Sequence, residues 1–132
     1  MALKVKFILI FFSTIFLVTG CGDSSSSYEK GYFTENEGSY SFVLIANEGE
    51  LNKIEKEWTN ITNKQITKLK KDNPNNAYLI SVQDDLSYDG IQYILKSQGM
   101  ENAEYAILVY ELNNVIFKSA DINEYKGFVI DL

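Results

Sequence analysis

The side chains best able to do chemistry here are carboxylates, gathered at Glu48/Glu50 and again at Asp84/Asp85/Asp89. Clustered carboxylate oxygens suit a hard cation such as Ca²⁺ or Mg²⁺. The spacing does not follow a calcium-binding loop, which needs a glycine at its sharp turn. A carboxylate pair can also cleave a glycoside, one member as acid and the other as base or nucleophile. That gives an accessory enzyme built on Asp84, Asp85 or Glu50 as the alternative to a binding role. A simpler reading fits both groups: acids gather at helix starts, where they cap free amides and complement the dipole. No metal site is assigned.

The rest of the inventory removes most other chemistry. The chain has no histidine and a single cysteine, Cys21. Zinc sites of the Cys/His type, His-based acid–base or nucleophilic machinery, and an intrachain disulfide are all excluded. No glycine-rich loop is spaced to cradle a nucleotide, and no Ser/Lys or Ser/Asp arrangement points to hydrolysis. No cofactor is expected. Every basic residue is lysine, and the formal net charge is −6 over 132 residues. An acidic surface repels phosphate backbones, so nucleic acid is not an expected partner. Nor does the overall charge offer a polybasic grip on lipid headgroups.

The first residues carry an address. Lys4 and Lys6 precede an apolar run, Phe7 to Val18, interrupted only by Ser13 and Thr14. The run is short of the about 20 residues that span a bilayer, but it has the form of a secretory signal. It ends in Val18-Thr19-Gly20-Cys21. This stretch resembles the lipobox of bacterial lipoproteins at all four positions. The resemblance implies a signal peptide over 1–20, cleavage before Cys21, and a diacylglyceryl group on the Cys21 sulfur. Two acyl chains anchor stably where one binds only marginally, since each buried methylene contributes about 0.8 kcal/mol. The expected location is therefore the extracytoplasmic face of the cell membrane. A capped sulfur is no longer a nucleophile or redox thiol. Loss of Lys4 and Lys6 would leave ten lysines against eighteen acids, a net charge of −8.

Gly22-Asp23-Ser24-Ser25-Ser26-Ser27 is small, polar and flexible, as a tether should be. The lipidated cysteine and tether are set at 21–37 and the globular domain at 38–132. Residues 28–37 admit two readings, a longer tether or a first edge strand. Their aromatics, Tyr28, Tyr32 and Phe33, can stack on a glycan, pack on a partner protein or cover the sheet edge.

The elements that must position these groups follow from periodicity. Ser39 to Ala46 is mostly apolar and β-favouring, as in a strand buried on both faces. Glu50 to about Lys71 reads as a helix: Leu51, Ile54, Trp58, Ile61, Ile66 and Leu69 share one stripe, which Thr62 and Gln65 interrupt. Trp58 belongs to the core on this spacing. Acids at its start and Lys64, Lys68, Lys70 and Lys71 at its end complement the helix dipole, and Asn73-Pro74 stops it. Tyr78 to Val82 is a short strand. A helix through Tyr88, Ile91, Ile94 and Leu95 follows and halts at Gly99. Strands Tyr105 to Tyr110 and Val115 to Lys118 flank Asn113-Asn114, a tight hairpin turn. Asp121 to Glu124 has the form of a capping box opening a helix through Leu132; Gly127, Val129 and Ile130 leave a closing strand as the alternative.

The order β-α-β-α-β-β-α gives an α/β chain with a mixed sheet. With Lys96-Ser97-Gln98-Gly99-Met100, the strand Tyr105 to Tyr110, the Asn113-Asn114 turn, Val115 to Lys118 and the last capped segment, it resembles the thioredoxin fold across residues 38–132. Two hallmarks of that family are missing. Its Cys-x-x-Cys position is occupied by Asn47 to Lys53, which contains no cysteine. Its cis-proline position falls in Asn102 to Tyr105, and the one proline of the chain is Pro74. Without thiols there is no dithiol–disulfide exchange. The resemblance implies that these two loops meet, making Asn47, Glu48, Glu50, Asn102, Glu104 and Tyr105 the candidate partner-binding residues. The expectation is a non-enzymatic, membrane-anchored binding module whose partner is an envelope protein or a cell-wall component.

Overall fold

A computed structural model describes residues 27–132. The expected signal, Cys21 and most of the polar tether lie outside the described residues.

Among the described residues, four strands and three α-helices are laid down in the order β1 (Tyr40–Ala46), α1 (Glu48–Asp72), β2 (Tyr78–Gln83), α2 (Asp89–Ser97), β3 (Tyr105–Glu111), β4 (Asn114–Ser119) and α3 (Ile122–Ile130). The sheet order is β2-β1-β3-β4. β1 runs parallel to β2, with Tyr40 opposite Tyr78, and antiparallel to β3, with Ala46 opposite Tyr105. β4 closes an antiparallel hairpin on β3, with a register shift between Val109 and Tyr110. The result is an α/β fold on a mixed sheet.

The two central strands explain the layering. Side chains alternate across a strand, and β1 and β3 are apolar at both parities. Phe42, Leu44, Ala46, Ile107 and Val109 face one way and meet α1 and α3 through Trp58, Ile66, Leu69, Tyr125 and Val129. Val43, Ile45, Ala106, Leu108 and Tyr110 face the other way, against α2, Leu86 and Tyr32. Each fully buried side chain of this size contributes about 1.5–3 kcal/mol. Both cores are built from residues of the described span.

Several local expectations are refined. α1 begins two residues earlier than its periodicity suggests. Residues 28–37 form no edge strand. Lys30–Tyr32 make one 3₁₀ turn, and Tyr32 is buried against Tyr110 with ring centroids 5.6 Å apart. Thr34 then clamps the β3–β4 turn: its amide donates to the Leu112 carbonyl at 3.0 Å, and its hydroxyl accepts from the Leu112 amide at 2.7 Å. Gly38 donates to the Glu111 carboxylate at 2.8 Å. The ordered chain therefore starts well before residue 38.

The hairpin turn is centred one residue earlier than Asn113-Asn114, because Asn114 already belongs to β4 and Leu112 takes the left-handed conformation, φ 56°. The last segment is helix, not strand. Asp121 caps it by accepting from the Asn123 amide at 2.8 Å. The capping box is not closed by Glu124, however. Ser119 Oγ accepts from the Asp121 amide at 3.0 Å and donates to the Glu124 carboxylate.

Candidate functional site

The pairing of Ala46 with Tyr105 brings the end of β1 beside the start of β3, so the loops at Asn47 and Asn102 to Glu104 flank the same end of the sheet. What their side chains do there is mostly structural. Asn47 stands at the start of α1 but makes no side-chain cap; its Oδ1 accepts from the Leu86 amide at 3.2 Å and ties down the β2–α2 loop. Glu50 accepts from Lys53 at 2.9 Å. That bond raises the Lys53 ammonium above its ordinary value, with Glu104 adding a further negative charge nearby. Tyr105 Oη accepts from the Ile122 amide at 3.0 Å, fixing the start of α3. Glu48, Asn102 and Glu104 are exposed.

The second carboxylate group is also engaged locally. Asp85 accepts from the Ser87 hydroxyl at 2.6 Å and from the Ser87 amide at 3.0 Å, which lowers its pKa. This is an Asx turn leading into α2, not a cap: the residue before α2 is Tyr88, which makes no side-chain cap bond. Among the described residues, no three acidic, cysteine or histidine side chains gather closely enough to hold a metal ion.

The clearest concavity lies elsewhere, between α1 and α3. It is a groove of about 420 Å³ with Ile61, Val129 and Ile130 among its apolar walls. Lys64, Lys68 and Lys71 from α1 and Lys126 from α3 also line it, and no acidic residue does. Positions 64, 68 and 71 recur at helical spacing, so the three ammonium groups stand along one side of α1. An adjoining hollow of about 360 Å³ adds Lys53 and Lys56, together with Glu57. A chain of formal charge −6 thus places four of its twelve lysines along one apolar trough, and the charges lining it oppose the overall sign.

Gln65 completes the groove. It is only 7% exposed, it lines the groove, and its Nε2 has no hydrogen-bond acceptor. A buried amide without a partner forfeits about 1–3 kcal/mol. The spacing of these lysines is visible in the sequence, where it reads as complementing the helix dipole. What sequence reasoning missed is that α3 places Lys126, Val129 and Ile130 opposite them.

The opposite margin of the molecule is apolar without being charged. β2 is an edge strand, and its Leu79, Ile80 and Val82 are exposed. Tyr28 is about half-exposed and packs on Tyr93 of α2, ring centroids 5.3 Å apart. No helix among the described residues is long and apolar enough to cross a membrane.

Comparison with known protein families, with curated proteins and with solved structures finds no match.

Proposed function

We propose that this chain is an exported lipoprotein, anchored through a diacylglyceryl group on Cys21 at the extracytoplasmic face of the cell membrane. Its domain acts there as a non-enzymatic binding module. The partner on this reading is an envelope protein or a cell-wall component. The lipobox at Val18-Thr19-Gly20-Cys21 supports the anchor. The element order β-α-β-α-β-β-α, with β1 and β2 parallel and a closing hairpin, supports a thioredoxin-like domain. Absence of cysteine from Asn47 to Lys53 makes that domain redox-inactive.

One observation carries the binding role: the lysine-lined apolar groove between α1 and α3. Concave apolar surfaces with a few polar groups are the usual form of binding sites. Carboxylate chemistry has less behind it, since Glu50 and Asp85 are each bound to a neighbour.

Two measurements test the reading on the full chain in a bacterial host. Labelled fatty acid should enter the protein at Cys21, and Cys21→Ser should abolish both labelling and membrane retention; an unlabelled, soluble wild-type chain would overturn the anchor. A photo-crosslinking residue at Thr67, on the groove, should give a discrete adduct that the same probe at Lys96 on α2 does not. Equal adducts at both sites, or none, would overturn the binding role.

A further inference from the structure

The groove between α1 and α3 specifies more than binding in general. We infer that it accepts a single-chain carboxylate amphiphile of the fatty-acid type. This rests on the binding-module reading and names its ligand class.

Two features converge on that chemistry. Ile61, Val129 and Ile130 present carbon to the groove, and an aliphatic chain laid on them loses its contact with water. The charged groups lining it are all ammonium: Lys64, Lys68, Lys71 and Lys126. A carboxylate in the groove meets donors on both walls, and charge-assisted bonds of this kind are about twice as strong as neutral ones.

Size separates this ligand from larger partners. A volume of about 420 Å³ lies within the roughly 300–1,000 Å³ typical of small-ligand pockets. From Ile61 to Lys71, α1 rises about 15 Å, a length suited to a medium alkyl chain.

The test uses residues 27–132, which carry both cores and whose cooperative thermal unfolding is checked first, with probes kept below their micelle-forming concentrations. Dodecanoate, dodecanol and dodecyltrimethylammonium are titrated by calorimetry and by the fluorescence of Trp58, the sole tryptophan, which stacks on Tyr125 beneath the groove helices. Dodecanoate should bind one to one, about tenfold or more tighter than dodecanol, with the cation weakest. The pair Lys64→Gln and Lys68→Gln should cost dodecanoate about tenfold and leave dodecanol unchanged. Failure of dodecanoate to bind, or equal binding of dodecanol, would overturn the assignment. So would full affinity in the lysine pair, or binding of only an acidic amphipathic peptide or of anionic vesicles. A groove adduct in cells alongside any of these failures would leave the binding module standing and remove only this ligand.

Discussion

Tyr125 of α3 and Thr62 of α1 share a hydrogen bond of 2.6 Å inside the core, and both side chains are fully buried. Thr62 Oγ1 in turn donates to the Trp58 carbonyl at 2.7 Å, so the tyrosine hydroxyl is the donor into the threonine. The Trp58 and Tyr125 rings stack at 6.3 Å with planes 27° apart. This short relay fixes α3 against α1, and with it the two walls of the groove.

Thr62→Val keeps the shape of the side chain and removes the acceptor. The Tyr125 hydroxyl is then buried without a partner, which should cost about 1–3 kcal/mol. The pair Thr62→Val with Tyr125→Phe removes both halves and should recover part of that loss. Urea unfolding of the four members of the cycle measures the coupling. Strict additivity would show that the bond contributes nothing of its own.

Burial also sets how the protein responds to alkali. Desolvation pushes the hydroxyls of Tyr110 and Tyr125 well above the ordinary tyrosine value of 10.0; Glu29 beside Tyr110 adds to the effect, and Thr62 beside Tyr125 opposes it slightly. Raised folded-state values mean that the unfolded chain ionises first. Their contribution to stability is complete below about pH 10 and is lost as pH rises above it. Each phenol should steepen that fall by roughly 1.4 kcal/mol per pH unit. Urea titrations at pH 9, 10 and 11 should show it, and Tyr125→Phe should make the slope shallower. Phenolate absorbance at pH 11 should increase when the protein unfolds. Equal absorbance in both states would refute the assignment.

Much of this architecture is legible in the chain because β1 and β3 are apolar at both parities and the stripe of α1 keeps helical phase from Leu51 to Leu69. In each misplacement a residue outside the local motif overrides the local rule, whether two positions away or more than sixty. Asn113-Asn114 satisfies turn chemistry, yet Thr34 pins both backbone groups of Leu112 and moves the turn. Glu124 is spaced to close a capping box, yet Ser119 on β4 reaches the Asp121 amide instead. Thr62 and Gln65 read as breaks in an apolar stripe. Thr62 is buried because a tyrosine 63 positions away donates to it. The loops at Asn47 and Asn102 were legible as neighbours, but the groove was not, since its second wall belongs to α3.

The clamp on Leu112 stores strain that substitution can release. A non-glycine residue at φ 56° costs about 1–2 kcal/mol, and asparagine tolerates that conformation better than leucine. Leu112→Asn keeps the backbone amide and carbonyl that Thr34 engages. It should raise stability by about 0.5–1 kcal/mol, after some loss of half-buried apolar contact, and shift Tm upward by several degrees. A lower Tm would mean that the leucine contacts outweigh the backbone strain.

Gln65 offers a direct test of what an unsatisfied buried polar group costs the fold. Its buried Nε2 lacks an acceptor in a wall otherwise built from Ile61, Val129 and lysine stems. Methionine has nearly the same length and no polar atom to desolvate. Gln65→Met should therefore stabilise the domain by about 1 kcal/mol, since replacing an unsatisfied buried polar group by an apolar one of similar shape removes its desolvation cost. Helix propensity does not confound the comparison, because glutamine and methionine are nearly equal helix formers. Thermal unfolding of the two proteins without ligand reads the effect directly. A residue kept for packing alone would show no gain, or a loss.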